Sequence, residues 1–269
     1  MVRRGFVTAL IFLMSCMFFG YVSTSAARGD STPAPMNMND MQPHQIMQNP
    51  DSLPASPESG TQWSVFNHQG AGFFILLWGL TALIAGLQWP RRTWLRYVPP
   101  LALLGLVEFL ILRNDPKAWP FGPYGFWISF RDPSVLEHRV FVLLLFVIAI
   151  VELLRAADLL PRFWRVFAIP GLAVFGGVYL FFHHHGGLAA QHMMAQMSDP
   201  GMASNPAMKS MMASMSLVKR EHLWISVIGF GFAAAKLMAD GGLIKGRLGA
   251  TLWTLFAIAL GVYLLGYAE

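Results

Sequence analysis

All eight histidines of this 269-residue chain, and twelve of its sixteen methionines, fall in segments that hydropathy places on one side, or at one edge, of a membrane. Imidazole and thioether are the two side chains that hold copper well. Nitrogen and sulfur donors gathered on one side of an apolar chain are therefore read as a copper-type ligand set.

His68, His138 and His222 each open an apolar run, and His183, His184 and His185 close another just before Gly186-Gly187. Neighbouring helix axes lie about 8 to 10 Å apart, so imidazoles at one depth on four helices can converge on a single ion. The Gly-Gly stop leaves the negative end of its helix dipole beside the triple run, which favours a cation there. The other three are expected near positive helix N-termini, which disfavour imidazolium and keep a nitrogen lone pair for metal. Successive helical residues are about 100° apart, so at most two of the triple run face one centre. His183 and His184 are the expected ligands, and His185 the one turned to the loop.

Two methionine clusters accompany the histidines. One is Met36-Asn37-Met38-Asn39-Asp40-Met41, continuing through His44 to Met47. The other contains His192-Met193-Met194-Ala195-Gln196-Met197 and then Met211-Met212-Ala213-Ser214-Met215. Thioether sulfur stays uncharged at any pH and suits Cu(I) where thiolates would be oxidised. The first cluster lies among Asn, Asp, Gln and Pro, a composition unsuited to adhesion on lipid. Glu108, between Leu106-Val107 and Phe109-Leu110, is an ionisable residue inside an apolar run; such a residue is costly unless it faces a bundle interior, so it is a candidate ligand or proton acceptor. A buried carboxyl kept protonated, or one paired with Arg113, is its alternative role. Glu152 has Arg155 at i+3 as its expected partner.

The elements that must position these residues follow from hydropathy. With 55% hydrophobic and 12% charged residues, and a mean hydropathy of +0.49, the chain is unlike a soluble domain, in which about a quarter of residues are charged. Residues 1–27 pair Arg3 and Arg4 with an apolar stretch and a small-residue run, the pattern of a cleaved signal peptide. The single cysteine, Cys16, lies inside it, so the mature chain offers neither disulfides nor thiolate ligands. Residues 28–65 read as a disordered, Met-rich external arm. Six apolar runs follow, at about 66–88, 95–113, 138–159, 164–184, 221–240 and 248–267, each near the length that spans hydrocarbon. The expected fold is all-α and polytopic: six transmembrane helices as three hairpins within 66–269, with a Met/His-rich external loop at 186–218.

The short turns carry Arg91, Arg92 and Arg96, then Arg155, Arg162 and Arg165, then Lys245 and Arg247, which places them in the cytoplasm and the histidines outside. The bases are dispersed over turns rather than gathered on one aromatic-laced face, so the formal charge of +5 does not indicate nucleic acid. The hairpins share short features: Asn67-His68, Glu137-His138 and Glu221-His222 at their starts, and Pro90-Arg91-Arg92-Thr93-Trp94 and Pro161-Arg162-Phe163-Trp164 at the first two turns. No nucleophile-base pair, phosphate loop or paired carboxylates appear, and no catalysis is expected.

Over residues 64–267 the chain resembles the copper resistance protein D (CopD) family of bacterial inner membranes. The resemblance rests on Phe66-Asn67-His68, on Asn114-Asp115-Pro116-Lys117-Ala118-Trp119-Pro120 leading to Glu137-His138-Arg139, on the histidine run, and on Glu221-His222. It implies a multi-helix membrane protein that moves or manages copper, often beside a periplasmic copper-binding partner. The expected function is copper handling, whether transport, resistance or delivery, at the periplasmic face. A b-type cytochrome with two histidines on haem is the alternative, and a copper-delivery factor for oxidase assembly a third reading. The oligomeric state is not legible in the sequence.

Overall fold

The computed structural model describes residues 57–87, 93–113, 119, 125–127, 130, 133–182 and 206–268. The expected signal peptide, Met36, Met38, Met41, His44, His183, His184, His185, His192, Met193, Met194 and Met197 lie outside the described residues.

Among the described residues the fold is all-α, with six long helices: α1 (Pro57–Gly86), α2 (Val98–Arg113, preceded by a 3₁₀ turn at Thr93–Tyr97), α3 (Pro133–Ala156), α4 (Arg162–Phe181), α5 (Pro206–Asp240) and α6 (Gly246–Leu265). Five segments are long and apolar enough to cross a membrane: Gln62–Gly86, Trp94–Arg113, Arg162–Phe181, Met215–Asp240 and Gly246–Leu265. The remaining helix, α3, has 24 residues and carries Glu137, Arg139, Glu152 and Arg155 in its apolar sequence. Many large apolar side chains face outward, among them Leu143, Phe175, Trp224 and Val262. That inversion is what a lipid solvent requires.

Two boundaries differ from the sequence reading. α1 begins at Pro57, inside the stretch expected to be a disordered arm, and α5 begins at Pro206, so residues 206–218 are helix rather than loop. Hydropathy locates the edge of an apolar slab, whereas α5 continues past it on the helix propensity of its Ala, Met and Lys residues. His68 and His222 consequently stand about three and more than four turns inside their helices. The expected help from a helix N-terminus reaches only the first turn and does not apply to them.

Each helix packs on the next in sequence, and α6 returns to α1, which closes a ring. The α1/α6 seam is the most extensive, and its close approach rests on small residues. Gly72, Gly79 and Gly86 recur every seven residues on α1 and face Gly261, Ala257 and Ala250 of the antiparallel α6. A Cβ at Gly261 would lie 2.5 Å from the Leu76 backbone nitrogen, so only glycine fits there. Within the ring, Trp78, Phe232 and Trp253 join three helices with ring centroids 5.4 to 6.0 Å apart.

Candidate metal centre

Because α1, α3 and α5 alternate around the ring and run the same way, their histidines meet at one end. His68 and His222 are in contact, ring centroids 6.0 Å apart and planes at 89°. Two imidazoles sharing one ion through bonds of about 2.0–2.1 Å hold their centroids roughly 5 to 6.5 Å apart, according to the angle at the metal. The observed spacing falls in that interval.

Both rings are fixed by their own helices. His68 Nδ1 donates to the Ser64 carbonyl at 2.8 Å, and His222 Nδ1 donates to the Val218 carbonyl at 2.8 Å. A carbonyl only accepts, so each Nδ1 carries the proton and the neutral ring has its lone pair on Nε2. Committing one nitrogen to a backbone carbonyl and presenting the other is how metal-ligating histidines are usually oriented. His222 is buried, and His68 stacks on the buried Tyr267 at 4.0 Å and 15°. Gln69 Nε2 donates to the Tyr267 carbonyl at 3.4 Å, tying the end of α6 to this level.

His138 is carried on α3, toward the same end of the ring. Around the pair, Tyr263 donates to Glu221 Oε2 at 2.5 Å, and Arg220 lies 3.6 Å from Glu221 Oε1. Ser226, one turn below His222, donates to the Gly177 carbonyl of α4 at 3.2 Å and to the His222 carbonyl at 2.9 Å. With Tyr179 also against Phe141 of α3, the last described turn of α4 reaches the histidine end.

On α1, Trp63 Nε1 donates to the Arg113 carbonyl at 2.9 Å, Asn67 Nδ2 donates to the same oxygen, and the Arg113 guanidinium covers the Trp63 and Phe66 rings. This clasp locks α2 to the turn that bears His68. It also places Arg113 on aromatic faces rather than on Glu108. Glu108 itself is exposed on the outer flank of α2, while Leu103, Leu106 and Val107 of that helix are buried. The expectation that it faces the bundle interior is not met.

Among the described residues no three His, Cys, Asp or Glu side chains gather closely enough to hold a metal ion. The imidazoles form a pair, with His138 nearby. Among the described methionines, Met212 is exposed and Met215 partly buried, both on the extension of α5; position 211 belongs to the same helix.

A second polar cluster, which the sequence reading passed over, lies at the other end of the ring. Lys236 on α5 is 1% exposed, 3.5 Å from Glu152 of α3 and 3.3 Å from Asp240 of its own helix, with its ammonium 3.9 Å from the Trp253 ring centre. Arg155 forms a two-pronged ion pair with Asp240. Glu152 thus faces Lys236 across the bundle, not Arg155 along its helix as local spacing suggested. Lys236 within an apolar span, with Asp240 at i+4, was the available signal. The Trp78, Phe232 and Trp253 aromatics separate this cluster from the histidines.

No protein-family model, curated protein or solved structure matches the chain.

Proposed function

We propose that this membrane protein handles copper, taking Cu(I) from the periplasm onto methionines and passing it to the paired His68 and His222. The pair carries the reading: two imidazoles of different helices at ion-sharing distance, each with its proton committed to a backbone carbonyl. Soft, uncharged thioethers on the helix that carries His222 favour Cu(I) over zinc or magnesium.

The continuity of α5 adds a route. At 100° per residue, positions 208, 211, 212, 215 and 222 fall within an arc of about 100°, so the methionine positions lead along one side of the helix toward His222. His138, and His183 or His184, which follow α4 in sequence, are further ligands in this reading. The resemblance to the copper resistance protein D family agrees with it and suggests a periplasmic copper-binding partner. Six spans, a cleaved signal peptide and an inner-membrane location with the histidine end periplasmic complete the proposal, the basic turns being retained in the cytoplasm. The protein binds and passes its cargo without catalysing a reaction.

The test is competition for Cu(I) against a chromophoric chelator, using purified protein with and without His68→Ala and His222→Ala, together with an absorption spectrum. Copper bound by the native protein and lost from the double variant supports the reading; undiminished binding in that variant overturns it. A Soret band lost with either histidine would instead assign the pair to haem b, as in a b-type cytochrome. Loss of oxidase activity without loss of copper tolerance on gene deletion would indicate delivery to an oxidase.

A further inference from the structure

At the end of the ring away from the histidines, the described helix ends and turns line an open recess of about 600 Å³. That is within the range of small-ligand sites, roughly 300 to 1,000 Å³. Its walls carry five basic and three acidic side chains, and these divide into two groups by depth.

The deep group is Lys236 and Arg155 with Glu152 and Asp240, two cations against two carboxylates in mutual contact. It is balanced. The shallow group is not: Arg96 and Arg165 share a single carboxylate, Asp158, at 3.1 and 3.8 Å, and the exposed Lys245 adds a third positive charge to the same wall. Asp158 holds the two guanidinium groups from an unusual backbone position, φ 57°, the only positive φ at a non-glycine among the described residues. It occupies the left-handed place after α3 that glycine ordinarily takes, and its amide closes the turn onto the Arg155 carbonyl at 3.0 Å. Asp158 thereby holds the two arginines side by side at the mouth, and with Lys245 the three cations outnumber its one carboxylate.

The level of the mouth indicates which anion is at hand. Trp94, Phe163 and Trp164 are 55 to 61% exposed, and Leu243 and Leu248 more so, all on the turns or first helical residues beside the cavity. Exposed aromatic rings at the ends of spanning helices sit at the depth of lipid headgroups. Guanidinium groups match phosphate oxygens in planar geometry, and basic recesses between helices at this depth suit anionic headgroups.

We infer that this cavity is a phosphate-binding recess, in which Arg96, Arg165 and Lys245 hold the phosphate group of an anionic phospholipid. The assignment is independent of any metal at the opposite end.

The experiment uses the full chain in detergent, with dioleoylphosphatidylglycerol, dioleoylphosphatidylcholine and inorganic phosphate as separate additives. Bound lipid is counted by native mass spectrometry and stability followed by thermal unfolding. The phosphatidylglycerol is expected to be retained and to raise Tm, the phosphatidylcholine to do neither, and Arg96→Gln with Arg165→Gln to weaken retention at least tenfold. Because that variant unbalances Asp158, Lys245→Glu is measured beside it; it alters only an exposed side chain and should weaken retention several-fold with Tm in lipid-free detergent unchanged. Stabilisation by inorganic phosphate alone would overturn the lipid assignment and make the occupant a free anion. Equal phosphatidylglycerol retention by native protein and both variants, or none by native protein, would overturn the recess itself.

Discussion

His68 and His222, from the first and fifth helices, stand with perpendicular rings at 6.0 Å, each tethered through Nδ1 to a carbonyl one turn back in its own helix. Neither tether depends on the other ring. The pair is therefore preorganised by local helix geometry and brought together by ring closure. Replacing either histidine by alanine is expected to lower Cu(I) affinity by more than tenfold, since even groups that merely orient a ligand contribute about 10–100-fold. Competition with a chelator of known affinity reads this, and unchanged affinity in both single variants would remove the pair from metal binding.

The methionines of α5 should affect capture but not folding. Met212→Leu with Met215→Leu keeps volume and removes sulfur, a change that normally costs under about 1.5 kcal/mol. Cu(I) loading from a dilute donor should slow while the thermal midpoint stays put. Equal loading rates would show that the thioethers of this helix take no part.

At the opposite end, the Lys236, Glu152, Asp240 and Arg155 network should be intolerant of single changes. Asp240→Ala leaves the buried Lys236 and the partly buried Arg155 with one carboxylate, and breaking a buried pair from one side costs up to about 3–5 kcal/mol. Lys236→Met combined with Glu152→Gln removes charge of both signs and should be far less damaging. Thermal unfolding in detergent compares them, and an innocuous Asp240→Ala would contradict the burial of this network.

The α1/α6 seam makes a steric prediction. Gly261→Leu forces a side chain into the Leu76 backbone and should destabilise by about 1–3 kcal/mol or more. Gly171→Ala is the control, because a Cβ there meets nothing within 4 Å and should be neutral or mildly stabilising. Similar midpoints for the two would mean that the seam is looser than its geometry indicates.

Sidedness is tested by labelling single cysteines placed at Met212 and Lys245, both exposed and at opposite ends of the ring. A membrane-impermeant maleimide applied to intact, outer-membrane-permeabilised cells should reach position 212 and not 245. The reverse pattern would put the histidine pair in the cytoplasm.

Much of the architecture was legible before folding. Apolar runs of spanning length can only be helices in lipid, because every backbone amide must be satisfied within its own segment. Arg162 and Lys245 sit at short turns because a charged side chain is costly within hydrocarbon, and the recurrence of His68, His138 and His222 at matching places in three hairpins already implied a common level. The ends of the helices were less legible: hydropathy marks where the slab ends, whereas α5 continues to Pro206 on the propensity of residues outside it.

What the sequence determined by itself was the all-helical membrane character and the order of the apolar helices among the described residues, since these depend on composition over windows of about twenty residues. Only the tertiary structure decided which side chains meet. Closing α6 onto α1 through Gly72 and Gly261 fixes the rotation of each helix, and a rotation of a single residue position, about 100°, separates an inward Val107 from an outward Glu108. The same closure sets Glu152 against Lys236 instead of Arg155 and selects His68 and His222 as partners. Those pairings are set by distances between helices, and spacing along one helix does not contain them.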